Sequence, residues 1–488
     1  METHRFSVKD FPYISPSISN TFRAGLIKKG SVASLLTQQS YMPFKGLNKP
    51  PYFLVLTPRD RDDLGRKLAD CIYYDRGEKG KCSDKYPDKN FYALFKLRKP
   101  SNFDDAVKVL TYRDIENIIN EVEKEEKSSS GREVLPIVII PKDSKLNPFS
   151  PYYRIKAELL SHKHVSQIVN VETISNPNTL RNSLLSIYVQ LFVKAGGVPY
   201  LVYNSSLSDA NEYNIIIGYS LSRDPIRHKN AVGSIIVYNH VGRWLVSEFV
   251  FDELPFNNRD KLNDYKQSLE NALERAYKVA VDKNVIKSVQ KVNVIVHYRG
   301  KELSTKEEQV ILETINKFRE VNPSVYVLKI QQSDMILSAT SKDYPDPDMY
   351  PPTGYYTKLL PDTFILQTVG KHIELGTQKD SKLKGNIVSG GTAKPILVSI
   401  KRFGDNENLE LDSAKRERLS IRLLSTVFAL ARINYVSVYQ HLISEPVTTR
   451  YARELAYIIS RLGSKEVDGE IALRVLNDKD LKNKMWFI

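Results

Sequence analysis

YYRIKAELLSHKHVSQIVNVETISNPNTLRNSLLSIYVQLFVK, residues 152–194, is the run from which the rest of this chain is best understood. Tyr152 and Lys156 stand four residues apart, on one face of a helix and one turn from each other. An aromatic ring and an ammonium so placed can stack on a nucleobase and grip its phosphate. Gln167 follows eleven residues later with an amide, and Lys194 closes the run before Ala195-Gly196-Gly197. Each residue alone is better read as a solvated side chain on an ordinary helix. Together the four bring an aromatic ring, two ammonium charges and a neutral amide donor into one stretch.

Working outward, the apolar run at 134–141 (VLPIVIIP) predicts a buried strand, and YFLVL at 52–56 another. Residues 60–130 alternate charge with short apolar groups, and 114–126 predicts a helix ending in the solvated block KEEKSSSG. Strands alternating with helices imply a doubly wound α/β domain with parallel pairing. Ligands of such sheets collect at the carboxyl ends of the strands. The helix carrying Tyr152 begins just after the strand at 134–141, which suits phosphate capture. Residues 1–49 are weakly patterned and predict an extended or lightly folded lead-in.

Beyond Asn204 the pattern changes. Residues 214–217 with Gly218 predict a buried strand, and 231–238 and 244–251 a hairpin. A long amphipathic helix at 260–281 is followed by a strand at 292–298, a helix at 306–320 and a strand at 325–330. A three-strand meander followed by helix–strand–helix–strand is the order of a ribonuclease H-like fold. Extended segments at 358–369 and 395–400, a helix at 414–432 and a last helix near 451–462 complete the chain.

Composition narrows the partners. In 488 residues the net charge is +14, which points to a polyanion: nucleic acid first, an acidic membrane second. Phosphate contacts carry no base specificity, so charge is silent on sequence preference. Cys71 and Cys82 are the only cysteines, which argues against a disulfide-stapled secreted protein. Two free thiols are the default expectation, with a bridge as the alternative. The absence of CxxC and HExxH patterns argues against zinc. METHRFSVKD lacks an apolar signal core and no apolar run reaches membrane-spanning length, so a soluble cytoplasmic protein is expected. Walker A, GxGxxG and nucleophile-elbow patterns are missing; Ser389-Gly390-Gly391 beside Lys394 reads as a flexible loop, and 343–356 as a proline-braced one. His162-Lys163-His164 reads either as a basic lining for a strand or as an exposed turn.

The order Tyr152, Lys156, Gln167, Lys194, followed by Gly196-Gly197-Val198-Pro199-Tyr200, resembles the middle (MID) domain of Argonaute and PIWI proteins and its junction into the PIWI domain. The resemblance covers roughly residues 50–488. It implies a lead-in at 1–49, a doubly wound MID domain at 50–205 and a ribonuclease H-like PIWI domain at 206–488. It also implies that Tyr152, Lys156, Gln167 and Lys194 hold the 5′-phosphorylated end of a guide strand. A terminal phosphate carries about −1.5 to −2 charge against one for an internal phosphate, so such a pocket favours a 5′-phosphate over a 5′-hydroxyl. In some members a divalent cation joins the phosphate to a glutamine and the terminal carboxylate. Gln190 and the carboxylate of Ile488 are the matching ligands for Mg²⁺ here, with plain core packing of Met485-Trp486-Phe487-Ile488 given equal weight.

Cleaving members carry four acidic or histidine side chains that hold two metal ions. Here Ile217-Gly218-Tyr219-Ser220 places Ser220 at the first position. His297-Tyr298-Arg299-Gly300 has no acid at the next, and Tyr451-Ala452-Arg453 ends on an arginine. Asp209, Asp224 and Asp252 read as surface acids near the hairpin. The expectation is a chain with no catalytic residues, in which Arg299 and Arg453 either meet duplex backbone phosphates or are solvated. With fewer than sixty residues ahead of the 52–56 strand, the chain reads as a short prokaryotic Argonaute without N and PAZ domains. The implied partners are a 5′-phosphorylated guide RNA or DNA and a complementary target, expected to be DNA. A separately encoded protein taking the PAZ role and an effector active in defence against invading DNA complete the set. Base pairing then selects the target while the protein holds backbone. The rival readings are an active guide-directed nuclease with displaced acids and an interaction protein that binds no guide.

Overall fold

The apolar runs at 52–56 and 134–141 become neighbouring strands because each is covered on both faces. The computed structural model of the chain describes residues 3–5, 13–15, 36, 41–75, 89–129, 131–141, 150–203, 212–223, 230–239, 244–251, 267, 270–271, 274, 291–299, 305–316, 324–333, 355–368, 395–403, 413–438, 444–462, 481 and 484–488. The first part contains β1 (Thr3–Arg5), β2 (Tyr13–Ser15), β3 (Tyr52–Pro58), α1 (Asp62–Tyr73), α2 (Phe91–Leu94), β4 (Val107–Tyr112), α3 (Ile115–Ser128), β5 (Val134–Ile140), α4 (Pro151–Ser161), β6 (Gln167–Asn170), α5 (Val171–Ser175), α6 (Pro177–Lys194) and β7 (Leu201–Tyr203). Every residue of β5 is buried, as a central strand of a parallel sheet requires. The sheet runs β4-β3-β5-β6, all parallel, so strand order reverses between β3 and β5. This is a doubly wound sheet, and α4 leaves from the carboxyl end of β5 beside that reversal.

The second part contains β8 (Glu212–Arg223), β9 (Asn230–Asn239), β10 (Trp244–Phe251), β11 (Lys291–Tyr298), α7 (Thr305–Asn316), β12 (Ser324–Gln332), β13 (Tyr355–Leu360), β14 (Thr363–Leu366), β15 (Ile396–Phe403), α8 (Ser413–Leu430) and α9 (Val447–Leu462). Its sheet has nine strands in the order β1-β13-β14-β15-β12-β11-β8-β9-β10. β8, β9 and β10 form the antiparallel meander, while β11 lies parallel to β8 and β12 parallel to β11. That is the ribonuclease H-like order the sequence predicts. Of the helix expected at 260–281, Gln267, Glu270, Asn271 and Glu274 are helical and the other positions lie outside the described residues. Asp209, Asp224, Asp252, Cys82 and Ser389 with its glycines also lie outside them.

Four local expectations need correction. The segment at 358–369 is not one extended run: β13 and β14 form a hairpin across Pro361-Asp362. Proline cannot donate to a ladder, and Asp362 is fixed by ion pairs with Arg402 (2.8 Å) and Arg416. Within the lead-in, expected as extended or lightly folded, two short strands precede the one at 52, which is therefore not the first. β1 pairs with β13 and β2 with β7, and a bridge joins Lys45 to Val198. Strands of three residues are too short to show a period of two. Helix α1 was hidden in 60–130 because charged residues interrupt its buried face of Leu64, Leu68, Ala69, Cys71 and Ile72. Finally, Cys71 is disulfide-bonded rather than a free thiol. Composition argues about compartment and does not report whether two sulfurs meet.

The two sheets share one buried core. α9 lies across β8 and β9 and also touches α4, where Tyr153 meets Tyr457 edge-on at 6.1 Å between ring centroids. The tightest approach is at Gly218 on β8. A Cβ there would fall 2.2 Å from the backbone oxygen of Thr448 in the first turn of α9. Glycine is therefore required for the helix to seat on the strand. Gly218→Ala should lower unfolding free energy by at least about 3 kcal/mol, the upper end for an overpacked core. Gly46→Ala, with nothing within 4 Å of the new methyl, is the control. Equal urea midpoints for the two variants would contradict this packing.

Candidate nucleic-acid interface

Helix α4 starts on a defined cap: Ser150 Oγ accepts from the Tyr152 amide at 3.2 Å and Pro151 occupies the first turn. That start sets the rotation of Tyr152 and Lys156. Both are buried, at 8% and 1% exposure. Lys156 Nζ donates to Tyr152 Oη at 3.3 Å and lies 5.5 Å from the ring centroid. Gln167 opens β6 at 6% exposure, and Lys194 ends α6 at 1%. Lys194 Nζ donates to Gln167 Oε1 at 2.7 Å and to the Ser166 carbonyl at 2.9 Å. Gln167 Nε2 donates to the Ile168 carbonyl at 3.1 Å. The four predicted residues are thus gathered as two pairs, one within α4 and one between β6 and α6.

A buried ammonium is costly unless oxygen partners surround it. Here a phenol, an amide and a carbonyl provide them, groups a phosphate oxygen can replace. Sequence reading missed Ser166. It is 1% exposed, and its hydroxyl has no hydrogen-bond partner although its carbonyl holds Lys194. A lone serine between two lysines has no periodic signal to single it out.

The neighbouring basic cluster is drawn toward α3. His162 Nδ1 lies 2.7 Å from Glu123 Oε1, and His164 Nε2 lies 3.8 Å from Glu126. Burial lowers the His164 pKa below its ordinary 6.5, with Glu126 opposing. Lys163 takes a left-handed φ of 66° and is exposed. Gln190 Nε2 donates to the Val436 carbonyl at 2.8 Å. Met485, Trp486, Phe487 and Ile488 are all buried.

Of the second set of predicted positions, Arg299 and Arg453 meet just past the end of β11, while Ser220 lies inside β8. Tyr219 faces Tyr298 in register and the rings stack at 5.5 Å, so Ser220 and Arg299 come next on adjacent strands. Ser220 is buried opposite Ser234 on β9. Arg299 Nη1 reaches Glu445 Oε2 at 2.8 Å, and Arg453 Nη1 from α9 reaches the same oxygen at 3.0 Å. Between the two alternatives posed for these arginines stands a third, a shared carboxylate. Glu445 was not anticipated, because it sits in a connection just ahead of α9 with no patterned neighbours. Burial raises its pKa above the ordinary 4.5, with Arg299 opposing. Glu445 Oε1 and Arg450 Nη1 both lack hydrogen-bond partners. A cavity of about 220 Å³ opens among Arg299, Gln332, Ser444, Glu445, Arg450 and Arg453. Among the described residues no three His, Cys, Asp or Glu side chains gather as a metal site.

With that geometry described, known proteins can be compared. The Piwi domain family matches residues 136–462. The crystal structure of Drosophila Piwi is similar with a TM-score of 0.59 at 14% sequence identity. The similarity covers 96% of this chain and 55% of that one, so the chain spans about half the length of that protein. No curated protein matches. Among the described residues no helix is long and apolar enough to cross a membrane.

Beneath the arginines, His297 is fully buried on β11, between Thr448 Oγ1 at 2.8 Å and Thr426 Oγ1 at 3.3 Å. Burial lowers its pKa from 6.5 to about 3, so the ring is neutral in the folded chain. Below pH 6.5 the unfolded chain takes up a proton that the folded chain refuses. The resulting stability is complete above about pH 6.5 and is lost toward pH 3 at up to about 1.4 kcal/mol per pH unit. Urea midpoints should therefore fall between pH 7 and pH 5, and His297→Gln should flatten that fall by up to about 2 kcal/mol. An unchanged slope in the variant would contradict a buried neutral ring.

Proposed function

Since the chain belongs to the Piwi domain family, we propose that it is a guide-directed nucleic-acid-binding protein of the short prokaryotic Argonaute type. Lys156 and Lys194 hold the 5′-phosphate of a guide, Tyr152 stacks on or bonds its first nucleotide, and Gln167 with the Ser166 hydroxyl completes the donors. The observation that carries this reading is the burial of two ammonium groups at 1% exposure against replaceable oxygen dipoles. In so dry a setting a doubly charged terminal phosphate gains far more than an internal one. Residues 50–205 act as the MID domain and 206–488 as the PIWI domain.

In this reading the chain binds its target without cutting it. Ser220, Arg299 and Arg453 stand where a metal pair needs acidic or histidine ligands. A Mg²⁺ ion at the guide phosphate would take the amide oxygen of Gln190 and the Ile488 carboxylate, an all-oxygen set suited to a hard cation. The protein works in the cytoplasm, with a separate protein taking the PAZ role and an effector that acts against invading DNA.

The test is guide affinity with each 5′ end. Lys156→Ala with Lys194→Ala should weaken a 5′-phosphorylated strand by roughly 10² or more, at about 1.5–3 kcal/mol per charge-assisted hydrogen bond lost. A 5′-hydroxyl strand should lose less than tenfold. Equal loss for both ends, with unchanged melting temperature, would remove the assignment. Loaded protein given matched target and Mg²⁺ should leave that target intact, and cuts at a fixed distance from the guide end would restore the nuclease reading.

A further inference from the structure

Two of the three large apolar side chains that stand exposed among the described residues are Met42 (49%) and Phe44 (41%), two positions apart. They belong to one stretch ahead of β3 whose alternate residues, Tyr41 and Pro43, are buried. The stretch is held against the chain that follows α6. Tyr41 Oη donates to the Pro199 carbonyl at 3.0 Å. The Lys45 amide donates to the Val198 carbonyl at 3.0 Å, and the Lys45 carbonyl accepts the Val198 amide in return at 2.9 Å. Met42 and Phe44 are therefore presented on a fixed backbone. Single exposed apolar side chains are ordinary, but an adjacent pair so fixed has little freedom left to lose on docking, as an interface anchor requires.

The charge around them has one sign. Tyr41 meets Phe95 edge-on at 6.5 Å between ring centroids, which sets the stretch beside the connection from α2 to β4. Residues 41–50 and 89–101 together carry six basic side chains and no acidic one. Lys45, Lys49, Lys96 and Arg98 among them are exposed. The segment 76–88, outside the described residues, adds four basic and three acidic residues, so it does not reverse the balance. Acids close in sequence are mostly engaged. Asp75 accepts the Asn90 amide at 2.9 Å, Asp105 faces Arg132 at 3.9 Å and Glu133 meets Lys484 at 2.7 Å, while Asp104 is exposed beside Asp105. Both stretches lead into the amino ends of β3 and β4, away from the carboxyl end where α4 leaves.

We propose that this face docks an acidic segment of a partner protein, one that carries a bulky apolar side chain to pack against Met42 and Phe44. Complementary charge selects and steers the segment, and the two apolar side chains anchor it. Two other occupants fit less well. A second copy of the chain meeting this face about a two-fold axis would set lysine against lysine. A nucleic-acid strand would satisfy the cations but leave Met42, which has no flat face for a base, in water. The proposal gives the separate protein of the proposed function a place to bind, and rests on that reading only for the partner's existence.

The probe is a library of random peptides displayed on phage and panned on the full chain. Two variants serve for counter-selection: Met42→Ser with Phe44→Ser, and Lys49→Glu with Arg98→Glu. All four positions are exposed, so both variants should keep the wild-type melting temperature. The charge-reversed pair decides alone if the serine pair does not fold. Enriched peptides should be net acidic with at least one Leu, Ile, Met, Phe or Trp. A synthetic copy should bind each variant at least about tenfold more weakly than wild type, and its binding should fall with salt. Leu360→Ser, which removes the third exposed apolar side chain, should bind it like wild type. No enrichment, neutral or basic winners, or equal binding by the variants would overturn the proposal. So would a 5′-hydroxyl DNA strand that binds both variants about tenfold more weakly, which makes nucleic acid the occupant. A dimer lost on Met42→Ser with Phe44→Ser would overturn it in favour of a second copy. Guide affinity should be the same in wild type and both variants. If wild type loads no guide, the proposed function fails, while the panning still decides this face.

Discussion

Positive charge withdrawn from water is the constraint on which this structure depends. Lys156, Lys194 and Arg450 are each nearly inaccessible, and burying an ion costs several kcal/mol unless dipoles or counter-charges surround it. The fold supplies most of that compensation from specific places. A phenol one helical turn away serves Lys156, and the first residue of β6 with its neighbouring carbonyl serves Lys194. A carboxylate ahead of α9 serves Arg299 at the end of β11 and Arg453 on α9. Compensation stops short at Ser166 Oγ and Arg450 Nη1, which have no hydrogen-bond partner.

The two charged sites are mechanically joined. α4, which carries Tyr152 and Lys156, packs on α9, which carries Arg450 and Arg453. α9 is in turn seated by Gly218, since a side chain there would meet the Thr448 carbonyl. His297 in the same seam stays neutral and bonds both α8 and α9 through threonine hydroxyls. A shift of α9 on β8 would therefore disturb the arginine cavity directly and press on α4 through Tyr153 and Tyr457.

How much of this could be read from the chain follows from the physics of each element. β3, β5, β11 and β12 were legible because strands buried on both faces are continuous apolar runs. β1 and β2 were not, since three residues carry no period, and the β13–β14 hairpin hid behind one apolar segment interrupted only at Pro361-Asp362. In the first site, order and spacing pointed to Tyr152, Lys156, Gln167 and Lys194, which the fold gathers as two pairs. Ser166 gave no signal because its role depends on a missing partner, which only coordinates reveal. In the second site the sequence identified Arg299 and Arg453 but not the carboxylate that joins them. Glu445 lies in a connection whose position is set by α9 and not by local pattern.

The most direct measurement is the chemistry of the strand ends that accompany the protein when it is purified from cells. Strands are extracted, and their 5′ ends are labelled with and without prior dephosphorylation. The account predicts short strands of narrow length whose 5′ ends are uniformly monophosphates. Strands with mixed or hydroxyl 5′ ends, or none at all, would contradict a buried pocket built around a terminal phosphate.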